Sequence, residues 1–205
     1  EAINNEFNVY FFRLQTTSDL LNYKVLNKET ILVDTELYVY DDEQQIYGMN
    51  SMDLGELWYS LIEKAYAQWK GGYDVIGDGG HIPYALSEIL GKKCQTYSTE
   101  PTWLRNVFKW PENTAKKHLF DYIANADKNK YPMACGTKGS GEIKDGENPH
   151  IFSGHAYSVH GAYIKDKVMI IQLRNPWGNH RIRPTYVDFK TDGYFGISID
   201  QFFKY

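Results

Sequence analysis

The stretch Gly154-His155-Ala156-Tyr157-Ser158-Val159, followed after a short interval by Leu173-Arg174-Asn175-Pro176-Trp177-Gly178, decides how this chain is read. Apolar and polar residues alternate along His155 to Ile164 and again along Val168 to Asn175, with the polar Lys165-Asp166-Lys167 between them. That is the pattern of two strands joined by a tight turn. A hairpin centred near Lys165 lays residue 155 across from residue 175, within a residue or two of register. His155 and Asn175 thereby become neighbours at its open end. An Asn side-chain oxygen can accept from one ring N–H, which fixes the imidazole tautomer and leaves the other nitrogen to take a proton. Trp177 stands where an indole would shield that bond from water. Taken bare, a strand His beside a strand Asn is more often a structural hydrogen bond than a chemical device.

Moving outward, 205 residues suffice for one large domain or two small ones. Hydrophobic residues make up 42% and charged ones 23%, which excludes long disorder. The 17 Tyr favour strands. A net charge of -4 without a clustered Lys/Arg run argues against a nucleic-acid partner or an anionic membrane surface. Cys94 and Cys135 are too few for a disulfide framework and give no zinc spacing. With no apolar run long enough to span a bilayer, no cleavable leader and no Asn-x-Ser/Thr acceptor, the expected setting is reducing and cytoplasmic.

Towards the N-terminus, Val9 to Leu14 and Thr30 to Asp34 alternate around the turn material Thr16-Thr17-Ser18-Asp19, predicting a short antiparallel sheet. The period then changes. Leu54, Leu57, Trp58, Leu61, Ile62, Ala65, Tyr66 and Trp69 recur at steps of three and four, predicting an amphipathic helix over 54–70. Asp53 is its expected cap, with Glu56 three residues on, and Gly71-Gly72 its end. Gly77-Asp78-Gly79-Gly80 reads as a backbone-exposing loop, either a plain linker or a place where a ligand meets the main chain. Short helices follow at Ile82 to Leu90 and Pro111 to Ala126, strands resume from Tyr131, and Lys138 to Pro149 reads as a mobile surface loop.

The Gly-His-Ala-Tyr-Ser-Val and Leu-Arg-Asn-Pro-Trp-Gly stretches resemble the His and Asn motifs of the calpain family of papain-like cysteine proteases. Further resemblances run in the same order. Val33-Asp34 is similar to the family's Val-Asp-Asp strand, and Leu61 to Ala67 with Gly72-Tyr73 to its Leu-Glu-Lys-Ala-Tyr-Ala helix and following Gly-x-Tyr. Asp192-Gly193-Tyr194-Phe195 with Phe202-Phe203 resembles its closing Asp-Gly-Glu-Phe-Trp segment. The resemblance implies a papain-like α+β fold: the remainder of a first lobe over 1–80, and a complete β-rich second lobe over 81–205. The substrate cleft would run between them, with Gly79 and Gly80 facing substrate backbone from the first lobe.

The function it implies is intracellular endopeptidase activity on proteins or peptides, with His155 as general base and Asn175 as its orienter. The family's nucleophile lies in a Gln-Gly-x-x-Gly-Asp-Cys-Trp stretch upstream of everything matched here, and nothing in Glu1 to Phe12 matches it. This chain alone is therefore expected to be inactive. Cys135, in an apolar run, reads as a buried structural thiol. Cys94 follows Lys92 and Lys93, which lower a thiol pKa, but lies in a polar loop far from the His strand in sequence.

The alternative is a calpain-like module used for binding or scaffolding without proteolysis. The family's calcium sites need acidic side chains and carbonyls. Here Asn179-His180-Arg181-Ile182-Arg183 is basic, and Tyr194 stands where a Glu is usual. Asp192 is then the one remaining candidate ligand, so a second-lobe calcium site is not expected. His150, His160 and His180 read as ordinary surface or strand histidines. A first lobe without its central helix is expected to leave an apolar face uncovered, favouring self-association or a segment that fills the gap.

Overall fold

In the computed structural model, which describes residues 6–39, 48, 56–99, 111–137, 151–176 and 193–205, the chain opens with strands β1 (Glu6–Thr16) and β2 (Tyr23–Asp34). They form the antiparallel hairpin that their alternation predicts, with Glu6 opposite Asp34 and Thr16 opposite Tyr23. The connection is closed by its own side chains. Leu21 N–H donates to Asp19 Oδ1 at 2.9 Å, and the Thr17 hydroxyl donates to Asn22 O at 2.7 Å.

Helix α1 (Trp58–Lys70) packs on one face of this hairpin, where Phe11, Val33 and Ala65 are buried together. Trp69 stacks on Phe11 with ring centroids 5.2 Å apart, and Tyr66 meets the same ring edge-on at 5.3 Å. The Trp69 indole N–H donates to Glu29 Oε2 at 2.7 Å, so the ring is packed apolar-side in with its polar edge satisfied. The helix ends as expected: Gly71 is left-handed at φ 112, and Gly71 and Gly72 both donate to Ala67 O. Its start differs from expectation. The helix begins at Trp58 rather than 54, Leu57 occupies the cap position without a side-chain cap, and the expected cap Asp53 lies outside the described residues. Gly55, which costs about 1 kcal/mol in a helix interior, sits inside the predicted span. Leu57 and Trp58, expected on the apolar stripe, are exposed.

Helix α2 (Tyr73–Gly77) claims the first glycine of the expected Gly-rich loop, and α3 (Ile82–Leu90) follows. Gly91 closes α3 in the left-handed conformation at φ 68, and a Cβ there would lie 2.6 Å from the Phe12 ring. Glycine is required on both counts. The Tyr23 hydroxyl lies 2.8 Å from Ser87 Oγ, tying α3 to β2. For that reason the compact units divide between Thr96 and Tyr97, whereas the expected division lay after residue 80.

In the second unit, α4 (Glu112–Lys128) precedes a four-stranded antiparallel sheet in the order β3 (Met133–Gly136), β4 (Ala156–Lys165), β5 (Val168–Arg174), β6 (Tyr194–Ser198). Asp166 and Lys167, at φ 50 and φ 66, make the two-residue turn between Lys165 and Val168. Phe120 and Ile123 of α4 pack with Tyr157, Val159, Ile171, Leu173, Phe195 and Ile197 of the sheet. Burying each such side chain contributes about 1.5–3 kcal/mol. The short helix α5 (Ile199–Lys204) is started by a capping box between Ser198 and Gln201. Helices and antiparallel sheets occupy separate stretches of the chain, an α+β arrangement.

Candidate functional site

The site grows from the β4–β5 ladder. Lys165 pairs with Val168 and Ala162 with Ile171, but an irregularity between Val159 and Gly161 shifts the register, so Ser158 faces Arg174. Continuing that pairing puts Asn175 opposite Tyr157, with His155 two residues farther on. Side chains alternate with period two, so the offset keeps His155 and Asn175 on one face as diagonal neighbours. His155 Nε2 lies 2.9 Å from Asn175 Oδ1. The expected pairing to within two residues holds, and the bulge at His160 accounts for the offset.

An amide oxygen only accepts, so Nε2 carries the proton and Nδ1 is the lone-pair nitrogen of the neutral ring. Asn175 is 2% exposed, while His155 is half-buried. The amide is thus fixed in the interior and the imidazole sits at its margin. Asn175 is also held by its main chain, since its N–H donates to Gly193 O at 2.9 Å just before β6.

Two residues with no sequence signal of their own for this role, Thr137 and Tyr157, surround the histidine. Thr137 N–H donates to His155 O at 3.0 Å, and Thr137 Oγ1 accepts the His155 N–H at 3.0 Å. Tyr157, buried at 2% exposure, presents its ring edge-on to the imidazole with centroids 4.8 Å apart. Its hydroxyl oxygen accepts the Phe152 N–H at 2.8 Å. Burial pushes the Tyr157 phenol up to about 12, so it stays a neutral partner at any physiological pH. Tyr157 stands inside the quoted motif, but nothing in the sequence around Thr137 flags it. Its role arises from the β3–β4 pairing, which runs from Met133–Val159 to Gly136–Ala156 and brings 137 to 155.

The other candidates fall elsewhere. Trp177 and Asp192 lie outside the described residues, as do His150, His180 and the 138–149 loop. Gly79 and Gly80 belong to the first unit, exposed between α2 and α3. Gly79 has φ 85, and the space where either Cβ would stand is open. His160 sits on β4 beside Tyr194, with centroids 4.8 Å apart. Burial, then the Arg174 charge, hold its pKa below the usual histidine value despite Asp127.

Neither cysteine is arranged as an activated thiol. Cys135 is half-buried on β3 and packs against the core; desolvation of its sulfur pushes the thiol up to about 12. Cys94 lies in the first unit, where Sγ accepts from Ser87 Oγ at 3.3 Å and its N–H reaches Tyr23 Oη at 3.0 Å. As for calcium, no three His, Cys, Asp or Glu side chains gather around one point among the described residues. Among the same residues no helix is long and apolar enough to cross a membrane.

Comparison with known proteins bears on this geometry directly. The family described as calpain family cysteine protease matches residues 20–193. Calpain-A of Drosophila melanogaster is 27% identical over 158 residues, which cover 73% of this chain and 17% of that protein. Calpain-9 of Homo sapiens is 27% identical over 154 residues, 72% of this chain and 20% of its own length. Calpain-12 of Mus musculus reaches 33% over 154 residues, 72% of this chain and 19% of its own length. The chain thus spans a fifth or less of the curated relatives it matches here. The match takes in the α1 helix, the His strand and the Asn strand together, and on that ground the chain belongs to the calpain family of cysteine proteases.

Proposed function

We propose that this chain is part of a calpain-type cysteine endopeptidase and supplies its general base, His155, and the orienting Asn175. One observation carries the reading: a half-buried imidazole donates from Nε2 to the side-chain oxygen of an almost fully buried Asn at 2.9 Å. With its proton held there, Nδ1 takes the proton of a cysteine thiol, and the thiolate attacks the peptide carbonyl carbon. The same nitrogen then gives that proton to the leaving amine nitrogen, and in the second half removes one from the water that splits the acyl-enzyme. Asn175 keeps the ring in the tautomer both steps need. The nucleophile comes from a cysteine other than Cys94 and Cys135, whose surroundings suit structural thiols. In this reading the two compact units correspond to the two protease lobes, Gly79 and Gly80 line the substrate backbone, and the setting is cytoplasmic.

The test is hydrolysis of a generic protein substrate by the product of the full reading frame. Activity abolished by a thiol-directed epoxide and by His155→Ala is expected. A full-frame protein that binds a partner but hydrolyses nothing points instead to a scaffolding module. The isolated chain is expected to show no hydrolysis, and turnover lost on Cys94→Ala or Cys135→Ala would refute that.

A further inference from the structure

We infer that Thr137 and Tyr157 are positioning residues for His155, their two hydroxyl groups clamping the Phe152–His155 segment so that the imidazole meets Asn175 in one orientation. The inference rests on the base-and-orienter reading above. The β3–β4 ladder is regular through Gly136–Ala156, and Thr137 opposite His155 is its next step. There the pairing changes character. The main-chain half survives, Thr137 N–H to His155 O at 3.0 Å, but the return bond from His155 N–H goes to the Thr137 hydroxyl at 3.0 Å. That hydroxyl has one proton, and it points to Phe152 O at 2.5 Å in preference to His155 O at 3.2 Å. One side chain thus grips the segment at both ends, at Phe152 and at His155.

Tyr157 grips it again through its hydroxyl. Its hydroxyl accepts the Phe152 N–H at 2.8 Å, and its buried ring lies edge-on to the imidazole at 89°. Both polar groups of the Phe152 main chain are therefore held by side-chain hydroxyls. Between the anchor points lie Ser153 and Gly154, with Gly154 at φ 61. A turn of that kind has few interactions of its own with which to fix the next residue. Swinging the His155 backbone would break the 2.9 Å contact to Asn175, since that bond tolerates only a few tenths of an ångström.

The experiment reads the ring directly and uses the chain as it stands. Long-range proton–nitrogen correlation spectra of the 15N-His protein give the tautomer of His155, and the exchange rate of its Nε2 proton gives the hold on it. Wild type is expected as a single Nε2–H tautomer that Asn175→Ala disperses. Thr137→Val, which keeps the shape and deletes the hydroxyl, is expected to mix the tautomers and speed exchange by about tenfold, the effect of losing one hydrogen bond. Thr137→Ser is expected to restore the wild-type signal. A merely structural role would lower thermal stability in Thr137→Val while leaving tautomer and exchange unchanged, and that result overturns the inference while the protease reading stands. A wild-type His155 that is not the Nε2–H tautomer, or that ignores Asn175→Ala, overturns both. Should Thr137→Val fail to fold, Tyr157→Phe carries the same test from the other anchor: faster exchange supports the clamp and an unchanged rate overturns it.

Discussion

Each unit buries a polar side chain, and the two differ in what surrounds it. In the first, Glu88 is 5% exposed, its carboxylate taking the Tyr66 hydroxyl on one oxygen and the Lys70 ammonium on the other, both at 2.5 Å. Burial, then the Glu88 carboxylate, push the Tyr66 phenol far above its ordinary value. Every member of that group is held by another whose charge or proton it needs, joining α1 to α3. In the second, Asn175 is equally buried, but it holds a half-exposed imidazole whose Nε2 lies 2.9 Å from its side-chain oxygen. A buried polar group is thus no mark of function by itself. What sets the second group apart is a buried neutral amide behind a half-exposed imidazole.

Exchanging the two nodes by mutation should separate chemistry from stability. In the full reading-frame protein, His155→Ala should lower kcat by about 10²–10⁴-fold, the range for a general base, with the melting temperature nearly unchanged. Equal loss of stability would mean that His155 is a structural residue. Conversely, Glu88→Ala should cost about 2–4 kcal/mol in urea unfolding, because it strands the Lys70 charge and the Tyr66 hydroxyl, and leave the His155 tautomer unaltered. A variant as stable as wild type would show that the node is dispensable.

A smaller effect, about 1–3 kcal/mol, is expected for Gly91→Ala, which places a Cβ against the Phe12 ring in a left-handed conformation. Its signature is loosening of α3 alone, read by amide exchange over residues 82–90.

The smallest is alkaline. Cys135 ionises near 9.0 in the unfolded chain and at about 12 in the folded one, and Tyr157 moves from 10.0 to about 12. Both are protonated when folded, so above those lower values the unfolded state binds fewer protons and stability falls as pH rises. Below pH 9.0 neither contributes a slope. Cys135 alone gives a fall of at most about 1.4 kcal/mol per pH unit. Cys135→Ala should flatten the limb between pH 9.0 and about 12.

Local pattern carried much of this molecule. The turn at Asp166-Lys167, the end of α1 at Gly71, the span of α3 and the neighbouring of His155 with Asn175 all follow from periodicity and turn chemistry over short stretches. What escaped depends on pairings between segments far apart. Thr137 is an ordinary polar residue at a strand end until β3 meets β4, and Tyr157 is one tyrosine among 17 until its hydroxyl finds Phe152. The division at Thr96 escaped likewise, because a run of glycines reads as a boundary while the Tyr23–Ser87 contact that ties α3 to the hairpin has no local trace. Trp177 and Asp192 lie beyond the described residues, so their expected roles rest on the motifs alone.

On the proposed reading, His155 and Asn175 serve a thiol that is neither Cys94 nor Cys135. Labelling the full reading-frame protein with a thiol-directed epoxide and mapping the adduct by peptide mass spectrometry decides this. The predicted result is a single adduct on a third cysteine, slowed by at least about 10²-fold in His155→Ala. Rapid labelling of Cys94 or Cys135 together with loss of hydrolysis, or labelling of a third cysteine at the same rate without His155, would contradict it.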